Sequence, residues 1–446
     1  MVTNPVASAD LYRLPWTLPD NGISWLEPTI LCNLQCDGCY RKISAEPHKS
    51  WEQVLAELDT FQARRRSDCI SIAGGDPLLY PQIVELVAEI RRRGLKPIVN
   101  TNGVALTPEL LAQLKQAGVY GFTFHVDSRQ NRGGEWAGKD DLELNELRLR
   151  YARMVADVGG IACSFNATVY AENLHQVPGM MAWAREHIDI VQTMVFICFR
   201  YVVPSMPFDW YAGGRKVPWE EIWYSTDSDR VVSIGSQDLI AKAREQDPRF
   251  QPAAYLNGTH DPSAFKWLLT QRVGTADGIH GYLGPRFVEL MMSGYHLLKG
   301  RYLSYVSPAL TRAGRSSMLL GSLLDAHSRR ALGTWLGGVL RNPLRLFRRA
   351  HLQSIMFIQP VDILQSGEQS MCDGCPDITV HEGELVWSCR LEELKNYGTF
   401  LRSVPRCASA VPAGCTAAAS AMAAAPSEGS GATPAPRRDP ATVGWP

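Results

Sequence analysis

The stretch Cys32-Asn33-Leu34-Gln35-Cys36-Asp37-Gly38-Cys39 places three thiols within eight residues. Thiolates are the usual ligands of iron-sulfur clusters, and ordinary electron-transfer clusters use four cysteines. Three cysteines at this spacing can hold three irons of a four-iron cluster and leave the fourth iron open to another molecule. A zinc site or a group of buried thiols is the alternative for three such cysteines taken alone.

The sequence around this stretch predicts a parallel α/β fold. From Ile23 to about Val202, short apolar runs alternate with amphipathic segments, which is the pattern of β-α units. The apolar runs predict strands at 67–73, 96–100, 121–126, 160–169 and 190–199, and helices are predicted at 81–93 and 107–117. Six such units predict a partial (βα)6 TIM-like barrel rather than a closed eightfold barrel.

Polar residues follow several of these strands, where active sites of parallel barrels gather. They comprise the turn Gly74-Gly75-Asp76-Pro77, then Asn102 and then Asp127. Ser164 and Asn166 lie two apart on the predicted strand at 160–169 and therefore face the same way. We expect this set to surround a bound ligand, although a glycine-rich turn after a strand is also an ordinary β-α connection.

The pattern C-x3-C-x2-C followed by Tyr40 resembles the signature of the radical S-adenosylmethionine (radical SAM) enzymes. The resemblance implies that the open iron binds S-adenosylmethionine (SAM), and that one electron from the reduced 4Fe-4S cluster cleaves it to a 5′-deoxyadenosyl radical. Cys32, Cys36 and Cys39 are then both cluster ligands and catalytic residues. A flavodoxin-type or ferredoxin-type protein is the expected electron donor.

The same resemblance assigns roles to the polar residues. Gly74 to Pro77 is similar to a Gly-Gly-Glu-Pro turn that binds the methionine amino group, with Asp76 standing for the glutamate. The residue before the third cysteine is Gly38 where the family often has an aromatic residue against adenine, so Tyr40 is the candidate for that contact. The remaining expected SAM contacts are Asn102, Asp127, Ser164 and Asn166.

A second set, Cys372-x2-Cys375 followed by Cys389, predicts a second metal centre. It resembles the Twitch and SPASM modules that bind an auxiliary 4Fe-4S cluster after many radical SAM barrels. Cys407 or Cys415 is a candidate fourth ligand, and a structural zinc ion is the alternative. Cys69, Cys163 and Cys198 stand singly in predicted strands and are assigned to the core.

Length and composition limit the remaining possibilities. The chain has 446 residues, with 45 Lys and Arg against 45 Asp and Glu, which argues against a nucleic-acid partner bound mainly by charge. Clustered cysteines indicate metal in a reducing compartment, so we expect a cytoplasmic protein. We find neither a signal peptide nor a membrane span, although contact with the inner membrane face is compatible with the sequence.

The chain divides into five predicted regions. They are an extension (1–22), the radical SAM barrel (23–202), a mostly helical insert (203–350), a cysteine module (351–402) and a disordered low-complexity tail (403–446). Within the insert, residues 329–349 predict a basic amphipathic helix that either lies on an anionic bilayer or packs on the barrel.

The substrate is the least determined part of the sequence reading. The layout is similar to the branch of tetraether-lipid synthases and pterin-modifying methylases, which favours a small-molecule, amphipathic or lipid-like substrate that is coupled, methylated or oxidised. A SPASM-type peptide-modifying maturase is one alternative, although about twenty residues before the barrel are too few for a leader-binding domain. The other alternative is a non-catalytic zinc protein at a membrane surface.

Overall fold

The computed structural model describes residues 5–42, 46–226 and 231–406. Residues up to Val404 belong to one compact unit. The predicted tail, including Cys407 and Cys415, lies beyond the described residues except for its first positions.

The first half of the chain alternates strands and helices as predicted. Its strands are β1 (Tyr12–Arg13), β2 (Ile23–Thr29), β3 (Cys69–Gly74), β4 (Lys96–Thr101), β5 (Gly121–His125), β6 (Ala162–Val169) and β7 (Thr193–Cys198). Its helices are α1 (Trp51–Arg64), α2 (Ile83–Arg92), α3 (Pro108–Ala117), α4 (Asn145–Val158) and α5 (Val177–Glu186). Side-chain caps mark the amino ends of two of these helices: Ser50 and Gln53 form a capping box at α1, and Thr107 caps α3.

Six parallel strands, β2 to β7, pair in chain order, and this confirms the predicted (βα)6 barrel. Their two faces differ because successive side chains of a strand point to opposite sides. One face carries Ile70, Ile72, Phe122, Phe124 and Phe165 into the main hydrophobic core. The other face is the barrel interior, where polar side chains alternate with these residues.

The middle of the chain forms helices and further strands. The strands are β8 (Phe208–Ala212), β9 (Arg215–Val217), β10 (Ala254–Asn257), β11 (Phe265–Thr275) and β12 (Gly278–Leu283). The helices are α6 (Ser236–Gln246), α7 (Pro285–Lys299), α8 (Pro308–Thr311), α9 (Gly314–Leu324) and α10 (Ala326–Arg341). The predicted insert is thus rich in helix, but it also supplies β10, β11 and β12 to the main sheet.

The last part contains β13 (His351–Ile358), β14 (Asp362–Ile363), β15 (Gln369–Ser370), β16 (Ile378–His381), β17 (Glu384–Trp387), α11 (Leu391–Tyr397) and β18 (Arg402–Pro405). β13 pairs in parallel with β7, and β11 pairs antiparallel with β13. The barrel sheet therefore continues beyond its sixth strand. β18 pairs with β8 and carries ordered structure into the first positions of the predicted tail.

The segment between α7 and α8 closes the amino end of the barrel. Asp68, just before β3, accepts hydrogen bonds from Ser304 Oγ (2.8 Å) and Tyr295 Oη (2.7 Å). Lys96, the first residue of β4, donates to the Tyr305 carbonyl (2.8 Å), and Tyr305 Oη lies 3.3 Å from Thr123 Oγ1 on β5. The cysteine loop, which follows β2, lies at the opposite, carboxyl end of the barrel.

Candidate active site

The first three cysteines lie on the loop that follows β2, at the carboxyl end of the barrel. Asn102, after β4, donates to Cys32 Sγ (3.6 Å) and to Asn33 Oδ1 (2.7 Å). The middle of the loop is held by Asp37, whose amide donates to the Arg129 carbonyl (2.8 Å) and whose carbonyl accepts from Tyr170 Oη (3.1 Å). Residue Cys39 is exposed and Cys32 and Cys36 are half-buried, so the loop is fixed by its contacts while part of it reaches the surface.

Gly38 explains how this loop fits against the barrel. Its φ is +76°, and a Cβ at this position would overlap the ring of Phe199, which follows β7. Phe199 in turn packs against Tyr170 (ring centroids 4.7 Å apart) and Tyr201 (5.1 Å). An aromatic group from another strand end thus occupies the space beside the glycine that precedes the third cysteine.

Tyr40 directly follows the third cysteine and packs against Arg41. The Arg41 guanidinium lies 4.3 Å from the Tyr40 ring centroid. Burial raises the pKa of the Tyr40 phenol, and the charges that act on it come from Arg41, Glu27, Cys39 and Asp377. Tyr40 therefore lies on the side of the second cysteine set, and its role at the cofactor stays a prediction.

The turn Gly74 to Pro77 packs closely on the start of the cysteine loop. Gly74 has φ +107°, and side chains at Gly74 and Gly75 would collide with the carbonyls of Thr29 and Leu31. These glycines are therefore required by the close approach of two backbones. The Gly75 amide donates to the Thr29 carbonyl (2.9 Å).

Asp76 is a buried hydrogen-bonding centre of this turn. Its carboxylate accepts from Thr101 Oγ1 (2.8 Å), the Asn102 amide (2.8 Å) and the Leu78 amide (3.0 Å). Burial raises the pKa of Asp76, against the opposing effect of these donors. Since its oxygens are engaged within the protein, the structure gives Asp76 a positioning role for Asn102 and hence for Cys32.

Asp127 holds a second group of polar side chains, after β5. It accepts from His125 Nε2 (2.8 Å) and from the Arg129 amide (2.9 Å), and His125 also lies 3.1 Å from Thr168 Oγ1 on β6. Burial acts to raise the pKa of Asp127, but the hydrogen bond and charge of His125 outweigh it, so the pKa is lowered. This group stands beside Cys36, whose pKa is raised by burial and then by Asp127.

The two residues predicted on β6 face the barrel interior, as their spacing requires. Ser164 pairs in register with Thr123 and is buried, and its Oγ has no hydrogen-bond partner among the described residues. Asn166 pairs in register with His125 and is half-buried. Asn166 is therefore level with the His125 group, whereas Ser164 lies one pleat deeper.

The second cysteine set lies in a buried module beside the amino-terminal segment. The Arg65 guanidinium donates to the Cys375 carbonyl (2.8 Å) and Asn21 Nδ2 donates to the Gly374 carbonyl (3.0 Å). The β16-β17 hairpin returns the chain to Cys389, as its sequence predicted. Burial raises the pKa of Cys389 to about 12, and the pKa of Cys375 is raised by its hydrogen bond with Cys372 and by burial.

Arg41 joins the two cysteine regions. Its guanidinium donates to Glu27 Oε2 on β2 (2.7 Å) and to the carbonyl of Ser388 (2.7 Å), the residue before Cys389. The Arg41 carbonyl lies 3.7 Å from Cys39 Sγ. Burial opposes both charges, yet the Arg41 charge lowers the pKa of Glu27, and both side chains are almost inaccessible.

Within residues 5–42, 46–226 and 231–406, no three His, Cys, Asp or Glu side chains converge as ligands of one metal ion. In an iron-sulfur cluster, each ligated iron takes one thiolate from the protein. The raised thiol pKa values mean that ligation would release protons from Cys32, Cys36, Cys39, Cys375 and Cys389.

Sequence reasoning missed three residues of this site. Phe199 was assigned only to a strand end, and nothing in its type indicated that it would fill the space beside Gly38. His125 carried a usable signal, since it stands two residues before Asp127 on the same strand. Arg41 directly follows the aromatic residue of the signature, but its contact with residue 388 is a long-range pairing.

Comparison with known proteins gives a family match for the barrel region. Residues 26–184 match the family model of the Radical SAM superfamily. The chain is 31% identical over 173 residues to the AdoMet-dependent heme synthase of Nitratidesulfovibrio vulgaris, covering 36% of this chain and 45% of that protein. It is 30% identical over 194 residues to the PqqA peptide cyclase of Gluconobacter oxydans, covering 40% and 52%. The chain thus spans about half the length of the curated relatives it matches.

Solved structures show weaker overall likeness. SuiB of Streptococcus suis bound to the precursor peptide SuiA matches with a TM-score of 0.32 and 16% identity, over 41% of this chain and 40% of that chain. His-tagged anSMEcpe with bound AdoMet matches with a TM-score of 0.37 and 13% identity, over 64% and 66%.

The matched residues contain the first cysteine set, the glycine turn and the strands that lead to Asn102 and Asp127, so this part of the chain is similar to the Radical SAM superfamily. This superfamily uses a 4Fe-4S cluster and SAM. No helix in the described part of the chain has the length and apolar character needed to cross a membrane.

Proposed function

We propose that this protein is a radical SAM enzyme that abstracts a hydrogen atom from a peptide substrate held in the barrel. The observation that carries the proposal is the accessible three-cysteine loop at the carboxyl end of a radical SAM barrel. When bound there and reduced, a 4Fe-4S cluster with SAM supplies a 5′-deoxyadenosyl radical. The electron comes from a low-potential flavodoxin-type or ferredoxin-type donor.

The residues of the chain have distinct roles in this proposal. Cys32, Cys36 and Cys39 ligate three irons, and Asn102 orients Cys32 by donating to its sulfur. Gly74 and Gly75 let the backbone approach the methionine end of SAM, and Asp76 fixes the turn. The residues that complete the predicted cofactor site are Tyr40, Pro77, Asp127, Ser164 and Asn166.

Cys372, Cys375 and Cys389 hold an auxiliary 4Fe-4S cluster in this proposal. Their module is buried and is tied to the barrel by Arg65 and Arg41. A cluster held there would supply one-electron chemistry, and the contacts of Arg65 and Arg41 with the module would keep its ligands in place between redox states. A fourth ligand is not assigned by the described residues.

The interior of the barrel supports a peptide over a hydrocarbon chain. Half-buried polar side chains face it from neighbouring strands, including Asn166 on β6 and Thr193 on β7. Amide and hydroxyl groups of this kind can pair with a peptide backbone, whereas an alkyl chain offers them no hydrogen bond. One relative is named as a peptide cyclase. We therefore place the peptide alternative before the lipid-like substrate that the sequence layout favoured.

The radical chemistry is tested by reconstituting the protein with iron and sulfide without oxygen, then adding dithionite and SAM. We expect 5′-deoxyadenosine to form, and to fall to background in Cys36→Ala. Cys163→Ala is the matched control, because Cys163 is a buried core cysteine on β6. Equal product from Cys36→Ala and the parent protein would refute the assignment of the first cluster.

The substrate class is tested with deuterated candidates. Peptides encoded beside the gene, prepared with deuterated side chains, should transfer deuterium to 5′-deoxyadenosine and lose hydrogen in their mass spectrum. Deuterated membrane lipids serve as the competing candidate under the same conditions. Transfer from lipid with none from any peptide would overturn the peptide proposal and leave the radical SAM assignment intact.

A further inference from the structure

The helices after the sheet expose an unusual amount of apolar surface. α9 buries Met318 and Gly321 and turns Leu319, Leu320 and Leu323 outward. On α10 and the following turn, Leu340 and Phe347 are 84% and 83% exposed. Side chains this large and this exposed are individually ordinary on a protein surface, but a contiguous group of them indicates an interaction site.

These residues belong to one continuous layer. α9 and α10 pack against each other and join at Asp325, which ends one helix and caps the next. Their inner sides contact the sheet, with Gly314 against Ala350 and Gly281 against Ala331. The outward residues therefore form a single surface facing away from the sheet, which we call the Leu-Arg face: Leu319, Leu320, Leu323, Leu336, Leu340 and Phe347, bordered by Arg329, Arg330, Arg341, Arg345 and Arg349.

The charge of this layer is strongly one-sided. Between residues 312 and 349 there are eight arginines and one acidic residue, in a chain whose Lys and Arg equal its Asp and Glu, 45 against 45. The single acidic residue, Asp325, is buried and accepts from the Ser328 amide (2.8 Å) as the cap of α10. The face therefore presents positive charge around an apolar centre, with no exposed acidic group of its own.

From this arrangement we propose that the Leu-Arg face docks on the surface of an anionic lipid bilayer. Leucine and phenylalanine side chains enter the boundary between headgroups and acyl chains, while the surrounding arginines contact phosphate groups. A protein partner with an acidic rim is a less economical match, because the apolar residues are spread over two helices and the turn that follows them.

The position of the face keeps the cysteine loop away from the membrane. α9 begins where the Gly314 amide donates to the Ala350 carbonyl (3.1 Å), next to the first residue of β13. Because β13 runs parallel to β7, this is the amino end of the barrel. Arg348 also pairs with Asp277 in the turn between β11 and β12. Docking would thus leave the carboxyl end, with Cys32 to Cys39, open to SAM and to an electron donor.

The proposal goes beyond the radical chemistry and is tested without it. Cosedimentation compares vesicles of phosphatidylcholine alone with vesicles in which a third of the lipid is phosphatidylglycerol. We expect binding to the anionic vesicles, weakened by added salt. Replacing Arg341, Arg345 and Arg349 by glutamine should weaken binding by at least about tenfold, since each basic side chain near an anionic surface contributes appreciably.

Matched variants separate this surface from general effects. The control charge triple is Arg64→Gln, Arg92→Gln and Arg402→Gln, which removes the same charge from exposed sites elsewhere. The apolar triple is Leu323→Ser, Leu340→Ser and Phe347→Ser, and its control is Leu142→Ser, Val158→Ser and Val231→Ser, also exposed. Only the triples on the Leu-Arg face should lose binding, and Cys36→Ala should bind like the parent protein.

Three results would overturn the proposal. They are no binding to anionic vesicles, equal binding by the Leu-Arg triples and their controls, and a dimer in light scattering that the apolar triple dissociates. The last result would show that the face is covered by a second copy of the chain. None of these results bears on 5′-deoxyadenosine formation, so the two proposals fail separately.

Discussion

The two cysteine regions contain three thiols each but are held in opposite ways. The first is a loop at the open end of the barrel, fixed by side chains from other strand ends such as Asn102 and Tyr170, with Cys39 exposed. In the second, Cys372 and Cys375 are buried, and the side chains of Arg65 and Asn21 donate hydrogen bonds to backbone carbonyls of their loop. A site that must exchange a cofactor needs access, whereas an auxiliary centre can be enclosed.

This difference indicates which region tolerates change. Side chains that hold the first loop can be altered with local effects on the loop, because the barrel beneath it is complete without them. The second region is joined to the barrel through buried charges, so its anchors also contribute to folding. Arg41 belongs to both regions and should be the most sensitive single position.

The largest expected effect is therefore that of Arg41→Ala. The change leaves Glu27 as a buried charge without its partner and removes the donor to the Ser388 carbonyl. Breaking a buried pair costs about 3–5 kcal/mol of unfolding free energy. Urea unfolding measures it, and Arg64→Ala is the control because its pair with Glu384 is exposed and should be worth less than about 1 kcal/mol. Equal losses in the two variants would contradict the proposed link.

Gly38→Ala tests the packing of the open loop. Gly38 and Gly94 both have φ +76°, but a Cβ at Gly94 meets nothing within 4 Å, whereas at Gly38 it meets the Phe199 ring. Both substitutions introduce the same backbone strain. The additional loss of unfolding free energy in Gly38→Ala, about 1–3 kcal/mol, therefore reports overpacking alone. Thermal unfolding of both variants measures this excess. The added change Phe199→Leu should remove most of it, and a failure to do so would contradict the assigned contact.

Asn102→Ala should weaken the first region selectively. It removes the donor to Cys32 Sγ and to Asn33 Oδ1, and loss of such an outer hydrogen bond typically lowers metal affinity about 10–100-fold. Iron release to a chelator from the reconstituted protein should become faster for about half of the iron and unchanged for the rest. Asn100→Ala, whose amide donates to Ser71 Oγ (2.7 Å), is the control. Uniform release from both centres would show that Asn102 does not act on the first set alone.

Local patterns made much of this architecture predictable. Apolar alternation placed five barrel strands to within a few residues, because their side chains must alternate between core and interior. The cysteine spacings marked both cysteine regions, whose role as metal centres stays a prediction, and the β16-β17 hairpin followed from a short apolar run before Cys389. Each of these features is encoded within a few residues of sequence.

Long-range pairings were beyond such patterns. The strands β10 to β12 read as part of a mostly helical insert, because their place in the sheet depends on β13, which follows about eighty residues after β11 begins. The contact of Phe199 with Gly38 and that of Arg41 with Ser388 likewise join distant segments. The expected contact of Tyr40 with adenine stays a prediction, whereas its packing against Arg41, which donates to the Ser388 carbonyl, could be recognised only once the second module was placed.

The smallest expected effect concerns the contact of Asp362, shortly after β13, with Lys266 on β11 and Arg200 after β7. Asp362 accepts from Lys266 Nζ (2.5 Å) and Arg200 Nε (2.7 Å). Burial acts to raise the pKa of Asp362, but the two cations outweigh it and lower the pKa below the unfolded value of about 3.9. The ionised carboxylate therefore stabilises the fold above about pH 4. This contribution is lost as the pH falls through the folded-state value.

In Asp362→Asn the free energy of unfolding should accordingly decrease less as the pH falls. The variant is less stable at neutral pH because Lys266 is left buried without its carboxylate, but it cannot lose the same contribution again on acidification. Urea unfolding from pH 6 to about pH 3 measures the slope. Asp59→Asn, at an exposed pair with Arg93, should keep the slope of the parent protein. If the unfolding free energy of Asp362→Asn fell with pH as steeply as that of the parent protein, the contacts of Asp362 with Lys266 and Arg200 would not cause the loss of stability in acid. The second region would then be held to the barrel mainly through Arg41 and Arg65.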